Sequence, residues 1–238
     1  MKKRERSAHG IDPVRHAYDR LASIYDRKWS GYVQSTVRRT LHGIRAPVGS
    51  SILDLGCGTG QLLKELSESD TSLRLHGTDL SFEMLTVATN KFEVRPVSPG
   101  LVQSSALALP YRAACFDWII STSVFHFFPD PRKALQEIRR VLVLGGHLVL
   151  ADWCDDFLSC KLCSLWLGLV DPAHRPPLGE AQCHGYLEEA GFVIESSSTF
   201  RAGWIWGMML FECRKAATED DPGLTSPGSP PDAISIAL

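Results

Sequence analysis

From Ser50 to about Cys213, short β-rich apolar runs alternate with amphipathic stretches, which is how a sheet with crossover helices appears in sequence. Strands are predicted at Ser51 to Leu55, Leu73 to Thr78, Leu101 to Ser104, Phe116 to Ser121, His147 to Asp152, Phe192 to Phe200 and Ile205 to Arg214. Trp118-Ile119-Ile120 and Leu148-Val149-Leu150 are unbroken apolar runs, as parallel strands covered on both faces require. Helical spacing marks Gln61 to Ser67 and Phe82 to Asn90, the latter capped by Ser81. Pro131 to Val143 follows the N-cap Asp130, places Ala134, Leu135, Ile138, Val141 and Leu142 on one stripe, and is predicted to close at Gly145-Gly146. The last two strands leave no room for a helix between them, so an antiparallel hairpin turning at Ala202-Gly203 is expected. The class is therefore α/β: a seven-stranded, mostly parallel sheet with helices on both faces and a C-terminal antiparallel hairpin.

Outside this core, Asp12 to Ile44 carries Val14, Tyr18, Leu21, Tyr25 and Trp29 at three- and four-residue steps, which predicts one or two helices packed on the core as a lid. The resulting division is a flexible basic N-terminus at 1–10, a helical lid at 11–48, a ligand-binding domain at 49–215 with a helical substrate cover at 153–178, and a disordered tail at 216–238. A chain of 238 residues with 44% hydrophobic content can bury one full core. A formal charge of -2 supplies no field for nucleic acid, and the only basic cluster is Lys2-Lys3-Arg4 with Arg6. No secretory signal pattern opens the chain, and the apolar windows Val141 to Leu150 and Phe157 to Val170 are too short to span a bilayer, so a cytoplasmic protein without a membrane span is expected. Seven cysteines, an odd number, read as reduced thiols.

The chemistry begins at Asp54-Leu55-Gly56-Cys57-Gly58-Thr59-Gly60, set between an apolar strand and a helical stretch. Glycines there let the chain bend tightly and let a ligand approach the backbone without a Cβ in the way. The spacing is G-x-G-x-G, unlike the G-x-G-x-x-G of dinucleotide binders, and no Gly-Lys-Ser/Thr follows as in a P-loop. Asp79 ends the next strand, about twenty residues beyond the turn, where this kind of site offers a carboxylate to ribose hydroxyls.

From Ser50 to Asp152 the chain resembles a class I, Rossmann-like S-adenosylmethionine-dependent methyltransferase, of the broad group that includes the ubiquinone and menaquinone biosynthesis enzymes. The resemblance rests on Leu53 to Gly60, Gly77-Thr78-Asp79-Leu80-Ser81 with Met84-Leu85, Ala106-Leu107-Ala108-Leu109-Pro110, Phe116-Asp117, and Arg140-Val141-Leu142 with Gly145-Gly146. Tyr18 to Asp26 is similar to the helix that closes over the cofactor in that group. The resemblance implies S-adenosylmethionine as cofactor and S-adenosylhomocysteine as product. It places Gly56, Cys57 and Gly58 along the methionine part with Asp54 close behind, Asp79 on the ribose, Leu80 and Met84 on the adenine, and Ser105 and Ala106 at the adenine edge. Tyr25 in the lid and Ser121 at the end of the fourth strand complete the cofactor set. Ser105 departs from the family, which commonly has an acid there; a serine oxygen accepts without charge assistance, so a weaker contact is expected.

Methyl transfer from a sulfonium needs an aligned acceptor and, for some acceptors, a base. His126, just past the fourth strand, is the catalytic candidate, with a loop-fixing histidine as the equal alternative. Tyr18, Trp153, Phe157 and Trp166, with Trp204 and Trp206, are the candidate lining of an apolar acceptor site. Cys154, Cys160 and Cys163 could present three thiolates to a soft metal, but no second C-x-x-C completes a quartet, and no metal is expected. The partner expected is a small apolar or aromatic acceptor methylated on O, N or C, with no nucleic acid; oligomeric state is left open. The competing reading is a protein that binds S-adenosylmethionine or S-adenosylhomocysteine without methyl transfer, as a regulatory subunit or a different catalyst on the same fold.

Overall fold

A computed structural model describes residues 11–95, 97–170, 174–203 and 206–217, side chains being described from 13 onward. Helix α1 (Ile11–Leu41) is followed by β1 (Ser51–Leu55), α2 (Gln61–Ser69), β2 (Arg74–Asp79), α3 (Phe82–Phe92), β3 (Gly100–Gln103) and β4 (Phe116–Thr122). Then come a single 3-10 turn at Phe125–Phe127, α4 (Pro131–Val141), β5 (Leu142–Trp153), α5 (Leu158–Val170), α6 (Glu180–Glu189), β6 (Phe192–Ala202) and β7 (Trp206–Lys215). The sheet order is β3-β2-β1-β4-β5-β7-β6, with β7 antiparallel to both neighbours and all other pairs parallel. Strand order reverses between β1 and β4, and open α/β sheets bind ligands outside the carboxyl ends at such a point.

Two apolar layers hold the sheet. One packs Leu135, Ile138 and Leu187 of α4 and α6 against Leu53, Ile119 and Leu150; the other packs Leu63, Leu85 and Val37 of α2, α3 and α1 against Ile52, Ile120 and Val149. Both faces of β4 are thus buried, which is why its sequence shows no alternation. The predicted caps form: Ser81 Oγ accepts from the Met84 amide at 3.1 Å, and Asp130 Oδ1 from that of Lys133 at 3.1 Å. Each such cap stabilises its helix by about 1 kcal/mol.

The end of α4 differs from expectation. The helix stops at Val141, Leu142 is already extended and pairs with Phe116, and Gly145-Gly146 sits inside β5 where its register with β4 shifts. Gly145 takes φ +75° there, and a Cβ on Gly146 would lie 2.9 Å from the Val143 carbonyl oxygen. The glycine pair is a strand irregularity, not a helix stop. At the hairpin Ala202 pairs with Trp206 and Gly203 has φ +74°, while Trp204 lies outside the described residues, as do 1–10 and the tail from 218. The N-terminal segment is one long helix bent at Trp29 (φ −115°, ψ 15°).

Candidate functional site

Beyond the carboxyl ends of β1, β2 and β4 lies an open cleft enclosing about 1210 Å³ including its mouth, ample against the ~300–1,000 Å³ of typical small-molecule sites. Its floor is the glycine-rich turn. The amides of Gly56 and Cys57 both donate to the Thr78 carbonyl, at 2.7 and 2.9 Å, which ties the turn to the end of β2. Gly56, Gly58 and Gly60 take φ of +77°, +52° and +76°, the left-handed region that glycine enters without a steric penalty. A Cβ on Gly58 would meet nothing within 4 Å, so its open side lines the cleft, whereas one on Gly56 would strike Val124.

Asp79 locks two loops together: its Oδ2 accepts from the Gly58 amide and its Oδ1 from the Ser81 amide, both at 2.8 Å. Burial raises its pKa, and the amide hydrogen bonds partly offset that rise by favouring the carboxylate. Asp54 has no such help. Its Oδ1 is buried without a partner, and burial, reinforced by the charge of Asp79, pushes its carboxyl up to about 8. Ser104 Oγ and Ser121 Oγ are likewise buried and unpartnered. Orphaned polar atoms beside a cleft with a glycine-lined wall are what a polar ligand with its own donors and acceptors would complete.

Helix α1 closes the cleft from above. Tyr18, Tyr25 and Tyr32, spaced seven residues apart and hence two turns along one face, all line it. Three polar ties hold the helix down, each to a different loop: Asp19 accepts from Ser81 Oγ at 2.6 Å, Asp26 from Thr59 Oγ1 and from Lys91 Nζ at 2.8 Å, and the Tyr32 hydroxyl pairs with Ser123 Oγ. Ser123, in the loop after β4, sits at φ +60°, a strained position for a non-glycine residue of the sort that clusters at functional sites. Burial raises the Tyr25 pKa to about 12 and the Tyr32 pKa further, so both present protonated hydroxyls. Tyr32, Asp19, Asp26 and Ser123 were not singled out by the sequence reading. The signal for Tyr32 was available, because it continues the Tyr18 and Tyr25 spacing.

Of the sequence-derived candidates, Tyr18, Tyr25, Asp54, Gly56, Cys57, Gly58, Asp79, Leu80, Met84, Ser105 and Ala106 do line the cleft. Ser105 Oγ already accepts from the Leu107 amide at 3.2 Å, which leaves it less to offer a ligand. Ser121 is buried in β4 just behind the lining. His126 does not line the cleft: its side chain is buried beside the lining residue Phe127. Its Nδ1 lies 2.7 Å from Asp152 Oδ1, its amide donates to Asp152 Oδ2 at 2.8 Å, and its buried Nε2 has no partner. The imidazole stacks on Trp153 (5.0 Å between centroids) and packs against Phe127 (4.0 Å), whose ring does line the cleft.

Trp153 continues this stack onto Trp206 (4.6 Å) and donates its indole N–H to the Tyr32 hydroxyl at 2.6 Å, so it buttresses the lid from behind. Phe157 and Trp166 do not reach the cleft. Phe157 packs on Gly207 beneath the Arg201 guanidinium, and Trp166 on α5 is 60% exposed, because α5 turns Cys160 inward toward β7. The substrate cover expected at 153–178 is therefore corrected: α5 stands beside the cleft. Cys160 exchanges hydrogen bonds with the Gly207 backbone, Cys154 donates to Asp156, and burial raises both thiol pKa values, so these groups are protonated packing thiols. Among the described residues no cluster of His, Cys, Asp or Glu could hold a metal ion.

Comparison with known proteins bears on this geometry directly. Residues 53–150 match the family described as "Methyltransferase domain". A demethylmenaquinone methyltransferase of Thermus thermophilus is 38% identical over 102 residues, 43% of this chain and 46% of that protein. An uncharacterized methyltransferase of Bacillus subtilis, YdaC, is 31% identical over 128 residues, 51% of this chain and 68% of its own. The chain belongs to the class I S-adenosylmethionine-dependent methyltransferases. Among solved structures, the [4+2]-cyclase SpnF superposes with a TM-score of 0.72 at 16% identity, covering 89% of this chain and 98% of that one, which shows the shared fold. The methyltransferase spans less than half of the Thermus relative's length. Its cofactor is S-adenosylmethionine, and the cleft fits it: a carboxylate at the end of β2, an open glycine wall, and unpartnered acceptors beside them.

Proposed function

We propose that this methyltransferase transfers a methyl group from S-adenosylmethionine to a small apolar or aromatic acceptor held under the tyrosine face of α1. The observation that carries the reading is the joint geometry of Asp79 and the Gly56–Gly58 backbone on the floor with Tyr18, Tyr25 and Tyr32 on the roof. Asp79 holds the ribose hydroxyls, Leu80 and Met84 flank the adenine with Ser105 and Ala106 at its edge, and Gly56, Cys57 and Gly58 face the methionine part. Asp54, with Ser121 near it, answers the positive charge of that part. When bound, the cofactor supplies an electrophilic methyl group. The chain's residues align the acceptor behind it and exclude water, which is the work of Tyr18, Tyr32 and the Phe127 ring.

Incubating the purified full chain with S-adenosylmethionine and a panel of phenols, quinols and amines is expected to yield S-adenosylhomocysteine only with some acceptors. Tight cofactor binding without S-adenosylhomocysteine from any of them would favour the second reading, a non-methylating catalyst, for which the fold of the [4+2]-cyclase is a precedent.

His126 serves as the proton acceptor in this proposal. Asp152 fixes the tautomer with the proton on Nδ1 and leaves Nε2 as a free acceptor, the arrangement of a carboxylate-oriented histidine base. His126→Ala is expected to lower kcat by about 100-fold, the low end for general base catalysis, with cofactor affinity unchanged. Loss of both together would make His126 a wall residue only.

Asp54 gives the cofactor affinity its pH dependence. With a carboxyl near 8 in the free protein, Asp54 is protonated at neutral pH and must lose that proton to face a cation. Affinity is thus expected to rise as pH rises toward 8 and to level off above it, while the stability of the ligand-free protein, whose unfolded chain ionises Asp54 near pH ~4, falls over the same window. Calorimetric titrations from pH 6 to 9 check this, and Asp54→Asn should flatten the curve; an equal slope in that variant would refute the assignment.

A further inference from the structure

Helix α5 carries an apolar stripe on the side facing solvent. Leu158, Leu162, Leu165, Trp166 and Leu169 are each between 60 and 81% exposed. At 3.6 residues per turn they fall within a sector about 100° wide, centred opposite Cys160, the helix's only fully buried side chain. A surface helix ordinarily turns such a sector inward; here it is outward, and neither the cleft nor the sheet uses it.

We propose that α5 is an interfacial helix that docks the protein on an anionic lipid surface. The charge of the helix itself favours that occupant. Helix α5 has no acidic residue, and Lys161 borders the stripe. His174 Nε2 meets Ser164 Oγ of α5 at 2.9 Å, which brings Arg175 near the helix, and Arg201 lies over Phe157 just before it. Of the acids near it in sequence, Asp155 and Asp156 precede the helix and Asp171 follows it, and Asp156 is engaged, accepting from Cys154 and from the Glu180 amide at the start of α6.

A leucine stripe with one tryptophan and flanking cations is the composition that lies in a headgroup boundary, and basic groups beside it are attracted to anionic leaflets. The size also fits. A strip about 17 Å long and about 10 Å wide is enough for interfacial insertion but small against the ~800 Å² that each partner gives to a standard protein interface. The stripe stands near the carboxyl edge of the sheet that carries the cleft, since β5 ends at Trp153, which donates to Tyr32 of the lid, and only residues 154–157 separate it from α5. An acceptor dissolved in that surface would have a short path to the site.

The test is co-sedimentation of the full-length chain with phosphatidylcholine vesicles, with and without phosphatidylglycerol. Partition onto the anionic vesicles is expected, with a blue shift of tryptophan emission that is lost in Trp166→Leu. Leu162→Glu/Leu165→Glu, on the exposed face, should cut partition at least about tenfold while leaving S-adenosylmethionine affinity unchanged. Absence of partition by the wild-type chain overturns the proposal. So does a dimer in sedimentation equilibrium that the double variant dissolves while neither vesicle composition binds, because the stripe would then be a contact between two copies.

Discussion

Replacing Asp79 by alanine is expected to weaken S-adenosylmethionine binding about 100-fold, or ~3 kcal/mol, the largest effect of any single polar change in the cleft. The size follows from three interactions broken together. On the proposed assignment the buried carboxylate would surrender its ribose partners, and the amides of Gly58 and Ser81, each now 2.8 Å from a carboxylate oxygen, lose the acceptor that holds their two loops at a fixed separation. Asp79→Asn separates the parts. It keeps one oxygen for one amide but turns an NH2 toward the other donor, so a lowered melting temperature is expected with the fold retained, and with the charge assistance to the ligand gone about a tenfold loss of affinity is expected. Because the ribose is common to cofactor and product, calorimetry should find the same factor lost for S-adenosylmethionine and S-adenosylhomocysteine. A loss confined to S-adenosylmethionine would move Asp79's contact to the sulfonium end and discard the ribose assignment.

How far the sequence spoke depended on what each residue's neighbours had to be. Strands β4 and β5 were legible because strands buried on both faces must be continuously apolar, and α4 because Asp130-Pro131 is a start signal independent of tertiary contacts. The end of α4 was misread for the complementary reason. A Gly-Gly pair reads as a stop, but Leu142 gains more by pairing with Phe116, and the glycines absorb the resulting irregularity inside the strand. Helix α6 passed unnoticed because its only buried side chains, Cys183 and Leu187, make too short a stripe to register. Helix α5 shows a deeper limit: periodicity reveals that one face is apolar, not which way it points. The same limit hid the Tyr32, Trp153 and Trp206 cluster, which joins three distant segments.

The glycine turn divides its work between fold and ligand, and two substitutions separate the shares. Gly56→Ala should cost ~2–5 kcal/mol of stability, a large part of the ~5–15 kcal/mol a domain possesses. A methyl group there must tolerate φ +77° and would lie 2.5, 2.7 and 2.9 Å from Val124 Cγ2, Cγ1 and Cβ. The backbone part is ~1–2 kcal/mol and the overpacking ~1–3 kcal/mol. Gly58→Ala bears only the first of these, since at φ +52° its methyl group meets nothing within 4 Å and points into the cleft. It should melt only slightly early and bind cofactor poorly. Adding Val124→Ala to Gly56→Ala removes the two nearest carbons, so denaturant unfolding should show the pair more stable than the sum of the single changes, a coupling of ~1 kcal/mol or more. Simple additivity, or Gly56→Ala no more destabilised than Gly58→Ala, would mean that Val124 moves aside freely. The loop after β4 would then not be the rigid wall against which the turn is built.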